Sequence, residues 1–185
     1  MKFDQYVNLI LESLEQKRTY AVLPGGFKPP HKGHFEALKH LLVDADEGIV
    51  FIGNKERCGI TAEQSKDIWE IYAKYLDKTV EVSISQVSPI NSTYEFTDTH
   101  SDDSVVVGVG PENDPKELKR YDYFKKNPEK YPNVSIVEIP AKYDRISGTK
   151  TRECIMTKSE SAINYFVPGV VSAEDRDQIA KILGL

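Results

Sequence analysis

Cysteine is scarce in this 185-residue chain, which has only Cys58 and Cys154. Two thiols so far apart fit neither a metal-ligand spacing nor a disulfide scaffold. Both are expected as reduced thiols of a cytoplasmic protein. Long hydrophobic runs are missing too: no segment approaches the length of a membrane span, so no membrane partner is expected. The N-terminal segment carries Asp4, Glu12 and Glu15 and lacks the continuous apolar stretch of a signal peptide. Positive charge is not in excess, with 24 Lys and Arg against 29 Asp and Glu, a formal net charge of −5. Broad nucleic-acid binding needs a positive field that this composition does not supply, so no nucleic-acid partner is expected. A small basic pocket for a polyphosphate is still compatible with it. Internal repeats, linkers and low-complexity segments are absent as well. What is left is a length sufficient for one domain with a substantial core.

The hydrophobic pattern alternates between two periods. Phe3, Val7, Ile10 and Leu14 recur at helical spacing, so residues 3–17 read as an amphipathic helix ahead of the main domain. Residues 1–18 are therefore separated from a domain spanning 19–185. Strands are predicted over 20–24, 48–53, 79–84, 104–109 and 134–139, and helices over 34–43, 62–76 and 91–99. A further helix is expected from Pro115 to about Phe124, because proline suits a first helical turn. Another should follow Ser147–Thr149. Thr61 with Gln64 forms a capping-box signature, and Ser172 with Asp175 caps a last helix ending near Leu183. Five strands alternating with helices predict an α/β fold with a doubly wound, five-stranded parallel sheet. Trp69 and Tyr72 read as core.

In such sheets, ligands bind beyond the carboxyl ends of the strands. The chain puts its most distinctive segment there: Gly25-Gly26-Phe27-Lys28-Pro29-Pro30-His31-Lys32-Gly33-His34. A glycine-rich turn that opens a helix offers unpaired backbone N–H groups and the positive end of the helix dipole to an anion. Two histidines three residues apart face the same way, so both reach one anionic group.

This segment resembles the HxGH motif of the nucleotidylyltransferase superfamily. Ile146-Ser147-Gly148-Thr149-Lys150-Thr151-Arg152 resembles its second signature, ISSTxxR, with Gly148 in place of the second serine. The SGTxxR form is similar to that of archaeal-type nicotinamide-mononucleotide adenylyltransferases, and the resemblance spans roughly residues 19–183. It implies a Rossmann-like domain that joins a nucleoside monophosphate, AMP from ATP, to a small phosphate-bearing acceptor. Nicotinamide mononucleotide leads the candidate acceptors, which would place the reaction in NAD biosynthesis. Mg²⁺ is implied on the nucleotide phosphates, with no metal site on the protein itself. The superfamily also implies a homo-oligomer as one outcome.

The chemistry accounts for the residue types. The acceptor phosphate has a second pKa near 6 and is its own nucleophile at neutral pH. The protein has only to align two anions and spread the developing charge. Implied catalytic residues are His31, His34, Arg152 and Lys28. Lys28 stands where the superfamily often has Asp or Gln, and reads either as a phosphate contact or as a solvated loop lysine. Nucleotide-binding candidates are Gly25, Gly26, Phe27, Gly108, Gly110, Ser147, Thr149 and Lys150. Gly108 and Gly110 are read as permitting close approach of a ligand. Acceptor-binding candidates are Lys55, with Arg57 competing for its role, Asn91, and Tyr94, which stacks on a ring in one reading and packs in the core in the other. Gly26 occupies a position where nicotinamide-mononucleotide enzymes often carry arginine. A phosphopantetheine adenylyltransferase-like or cytidylyltransferase activity, and a non-catalytic nucleotide-binding module, stay open as alternatives.

Overall fold

The computed structural model describes residues 17–110, 119, 121–140, 146, 148–159 and 161–185. Its frame is five strands: β1 (Thr19–Gly25), β2 (Glu47–Ile52), β3 (Val80–Ile84), β4 (Ser104–Val109) and β5 (Val134–Glu138). They pair in the order β3-β2-β1-β4-β5, every pair parallel. The order reverses at β1, which lies between β2 and β4. Val22 of β1 is in register with Ile49 on one side and Val107 on the other. The crevice at this reversal opens at the end of β1, where the glycine-rich turn begins.

Helices cover both faces. They are α1 (Lys32–Leu41), α2 (Ala62–Ala73), α3 (Pro89–Thr99), α4 (Asp122–Lys126), α5 (Gly148–Met156), α6 (Ala162–Phe166) and α7 (Ala173–Leu183). Alternate strand residues point to opposite sides. Ala21, Leu23, Val50 and Ile52 pack with Phe35 and Leu38 of α1, Trp69 and Tyr72 of α2, Phe166 and Ile179. Tyr20, Val22, Ile49, Phe51, Val105 and Val107 pack with Tyr121, Phe124 and Tyr131 on the other side. Burial on both faces is why the three central strands read as near-continuous apolar runs. Trp69 and Tyr72 are fully buried, as expected of core residues.

Local signals set the helix ends. The Thr61 hydroxyl accepts from the Gln64 N–H at 3.1 Å while Gln64 Oε1 accepts from the Thr61 N–H at 2.9 Å. Such a cap contributes about 1 kcal/mol. Ser172 Oγ accepts from the Asp175 N–H at 3.2 Å. Tyr75 then fixes α7 to the body, donating to Asp175 at 2.6 Å and accepting from the Ser172 N–H at 3.0 Å. Gln64 donates to the Ile182 carbonyl at 2.7 Å, so both ends of α7 are tied to the α2 region.

Several boundaries differ from the sequence expectation, the first and third helices each beginning two residues earlier, at Lys32 and Pro89. The second helix ends at Ala73, short of the predicted residue 76, and continues as a turn. Helix α6 was not anticipated; five residues are too few to show a period. The helix predicted from Pro115 falls largely outside the described residues, with Lys119 helical among those described, and α4 runs from Asp122 to Lys126. The amphipathic helix predicted near the N-terminus lies outside the described residues, except for its final position.

Gly108 has a packing role that the strand pattern did not reveal. A Cβ there would lie 2.4 Å from Leu41 Cδ1 and 3.2 Å from Ile139 Cδ1. The missing side chain thus makes room for α1 against β4. Gly108→Ala is expected to lower stability by about 1–3 kcal/mol through overpacking, with Leu41→Val recovering part of the loss in urea denaturation. Unchanged stability of the single variant would contradict this packing.

Candidate active site

The site begins where β1 ends. Phe27 takes a positive φ of 48° and folds its ring back over Gly25, where a Cβ would come within 2.6 Å of it. Gly25 is therefore needed for the turn to close on Phe27. The Phe27 ring meets Trp69 edge-on at 5.4 Å and His34 at 4.8 Å, forming an apolar backing for the histidine. The Tyr72 hydroxyl reaches the Pro30 carbonyl at 3.4 Å from beneath. This support makes the turn a rigid extension of the core.

His31 caps α1 and His34 lies in its first turn. Their rings stack at 3.5 Å between centroids, 17° from parallel. The His31 backbone N–H donates to His34 Nδ1 at 3.2 Å. That bond leaves the His34 proton on Nε2, making Nε2–H a neutral donor. Burial, helped by the neighbouring His31, pushes the pKa of His34 well below its ordinary value. Burial also lowers His31, only 3% exposed, from 6.5 to about 4, with Arg152 nearby adding to the shift. His31 Nδ1 is buried without a hydrogen-bond partner among the described residues.

The second motif comes in from α5. Arg152 is buried, donating from Nη1 to the Lys28 carbonyl at 3.2 Å and from Nη2 to Thr149 Oγ1 at 3.2 Å. Its guanidinium meets no carboxylate among the described residues, an unfavourable state for a buried cation unless an anion arrives. A Cβ at Gly148 would stand 3.1 Å from Arg152 Nη1 and 4.0 Å from His31 Nε2. The glycine in the second motif therefore borders both groups and keeps the space beside them clear. Ser147 lies outside the described residues. Lys150 is exposed on α5 and does not line the cleft.

Two chambers meet at this turn. The polar one, about 590 Å³, is lined by His31, His34, Arg57, Gly148, Thr149 and Arg152 together with residues 26–29. The larger, about 930 Å³, runs along the strand ends past Gly53, Lys55, Val87, Ser88, Gly110, Tyr121 and Ile139. A Cβ on Gly26 or Gly110 would meet nothing within 4 Å, so both open the backbone to the cleft. Gly108 lines the larger chamber with its backbone, although its missing Cβ serves Leu41.

The remaining candidates separate into lining and scaffold. Lys55 is exposed and lines the larger chamber. Arg57 lines both chambers. It is presented by a tight hairpin in which Arg57 and Ile60 exchange backbone hydrogen bonds at 3.1 Å, with Cys58 and Gly59 at φ 55° and 75°. Positive φ at both central residues marks a type I′ turn, and Cys58-Gly59 is a faint sequence signal for it. Ser88 caps α3: its hydroxyl accepts from the Asn91 N–H at 3.2 Å and donates to Asn91 Oδ1 at 2.6 Å. Tyr94 packs on Phe124 at 4.4 Å and Tyr123 at 5.6 Å, and does not line either chamber. Neither residue lines the chambers in this structure: Asn91 is exposed in the first turn of α3, and Tyr94 faces α4. Lys28 is not a solvated loop residue. It is 5% exposed, and its ammonium donates to the Gly26 and Gly53 carbonyls, both at 2.8 Å.

No family model matches the sequence, and no curated protein matches it. Solved structures share its fold. A candidate nicotinate-nucleotide adenylyltransferase from Vibrio parahaemolyticus superposes with a TM-score of 0.62 at 14% identity, covering 88% of this chain and 98% of that one. Plasmodium falciparum nicotinic acid mononucleotide adenylyltransferase, complexed with APC, gives 0.59 at 14% identity, covering 89% and 95%. A bifunctional NMN adenylyltransferase/ADP ribose pyrophosphatase from Francisella tularensis, complexed with AMP and a manganese ion, gives 0.57 at 16% identity; the match covers 91% of this chain and half of that one. The likeness establishes a Rossmann-like fold shared with adenylyltransferases. Among the described residues, no helix is long and apolar enough to cross a membrane.

The buried histidines generate a pH dependence. Neutral His31 contributes stability in full above its ordinary pKa of 6.5, and this is lost as pH falls toward about 4. The expected loss over that window is on the order of 3 kcal/mol. The His31 ring protons should stay flat in NMR from pH 8 to 6 and titrate near 4; an inflection near 6.5 would contradict the buried, neutral ring.

Proposed function

We propose that the protein is a nucleotidylyltransferase that transfers AMP from ATP to a small phosphate-bearing acceptor, nicotinamide mononucleotide foremost, and releases pyrophosphate. The observation that carries this reading is the convergence of Arg152 on the His31–His34 pair in one polar chamber, without a carboxylate partner among the described residues. A merely structural arginine would be paired. Among the described residues this one keeps N–H groups without an acceptor, available to an anion, and the helix that carries the histidines opens toward the same space. Likeness in fold to adenylyltransferases of pyridine mononucleotides supports the choice of ATP and of a pyridine mononucleotide.

On this reading the triphosphate occupies the polar chamber and the acceptor the larger one. An acceptor phosphate oxygen attacks the α-phosphorus in line, and the bond to the β-phosphate oxygen breaks as pyrophosphate leaves. His34 Nε2–H and the Arg152 guanidinium take up charge on the phosphate oxygens, and His31 holds the His34 tautomer through its N–H. No protein nucleophile is required. The chamber lining offers N–H donors and hydroxyls, with Glu56 its one carboxylate among the described residues. That donor set suits phosphate oxygens, so Mg²⁺ enters as part of the MgATP substrate.

The test is pyrophosphate release with MgATP or MgCTP paired with nicotinamide mononucleotide, nicotinate mononucleotide or phosphopantetheine. ATP with a pyridine mononucleotide is expected to give turnover. Nucleotide-dependent stabilisation with no release for any pairing would make this a binding module. His34→Asn keeps an acceptor for the His31 N–H and should lose about 100- to 1000-fold in kcat at an unchanged melting temperature. Loss of the fold instead would assign His34 a structural role.

A further inference from the structure

Two substrates held in adjoining chambers must both reach the phosphoryl group that passes between them. Side-chain donors lining both chambers are therefore the ones placed to hold that group. Gly26, Phe27, Lys28, His34 and Arg57 line both chambers, and of these Lys28, His34 and Arg57 carry side-chain donors. Arg57 is exposed on its hairpin, whereas Lys28 is almost wholly buried and fixed.

An ammonium has three N–H groups. Two of those on Lys28 donate to the Gly26 and Gly53 carbonyls at 2.8 Å, joining the turn after β1 to the residue after β2. The Gly53 N–H donates to the Gly25 carbonyl at 2.9 Å, which closes the same junction from the backbone. The tetrahedral nitrogen directs its third N–H away from both carbonyls. That N–H has no acceptor among the described residues, and no carboxylate pairs with the ammonium there. A clamp on two carbonyls needs donors but no charge. A buried cation is costly without an anion, and burial lowers the Lys28 pKa from 10.5 to about 8, opposed by Glu63. The group still carries its proton at neutral pH. A charge kept at that cost, at the meeting point of two substrate chambers, calls for an anionic ligand.

We propose that the third N–H of Lys28 binds a non-bridging oxygen of the phosphoryl group being transferred, and that the Gly26–Gly53 clamp holds it there as a fixed donor. The inference rests on the nucleotidyl-transfer reading and adds a residue to it. As the acceptor oxygen bonds to the α-phosphorus, the bond to the pyrophosphate oxygen breaks and the electron pair leaves with pyrophosphate. Lys28 keeps its proton throughout. Its carbonyl, which accepts from Arg152 at 3.2 Å, ties the second motif to the same residue.

Lys28→Gln is the informative variant, because its amide retains two N–H donors for the carbonyls but lacks the charge and the third donor. It should melt with the wild type, bind MgATP about tenfold more weakly in calorimetry, and lose about 100-fold or more in kcat. Wild-type affinity and turnover would overturn the proposal and leave Lys28 as a clamp. If the wild type releases no pyrophosphate with any pairing, the transfer reading fails, and calorimetry alone decides Lys28: equal MgATP affinity of the two proteins overturns the contact. If Lys28→Gln melts early, the ¹⁵N ammonium signal of Lys28 in the wild type reads the same contact, and no shift on adding MgATP overturns it.

Discussion

The site depends on the six residues between the end of β1 and the start of α1, and above all on the hydrogen bonds to Lys28. Its side chain holds the tips of two strands, and its carbonyl holds Arg152 from a helix far along the chain. Without these bonds the glycine-rich turn would be one loop near another. With them, the two motifs become opposite walls of one chamber. The apolar backing of Phe27 against Trp69 then ties the turn to the core, so the positions of the donors are set by packing. Fixed donors stabilise developing charge without reorganising when it appears.

Charge is distributed unevenly, to the same end. The chain as a whole is acidic, yet its cleft collects Lys28, Lys55, Arg57 and Arg152. Two imidazoles stand among these cations in neutral form. Burial favours the uncharged forms of His31 and His34, so on the proposed reading they offer N–H donors while the lysines and arginines supply the fixed charge. Stacked imidazolium rings would repel each other, and burial removes that conflict before a ligand arrives.

Most of the fold was legible in the sequence because its signals are local. Both-face burial made the three central strands near-continuous apolar runs, while the edge strands β3 and β5 interleave Glu81, Ser83, Ser135 and Glu138; the Thr61–Gln64 and Ser172–Asp175 caps act within one turn. The site was legible in part. The two motifs pointed to His31, His34 and Arg152, and these come together. What escaped depends on partners distant in sequence. The Gly53 carbonyl that anchors Lys28 comes from the residue just after another strand, and the side chain of Leu41 explains Gly108. Tyr94 belongs to an aromatic cluster with Tyr123 and Phe124 that no period within its own helix reveals.

The central claim is that the turn after β1 and the start of α5 bind one triphosphate between them. A crystal structure of the full chain soaked with a non-hydrolysable ATP analogue and Mg²⁺ tests it most directly. The account predicts the phosphates in the polar chamber, with oxygens in hydrogen-bond contact with His34 Nε2, the Arg152 guanidinium and Lys28 Nζ. Phosphates bound elsewhere on the chain, with the Arg152 and His31–His34 side chains untouched, would contradict it.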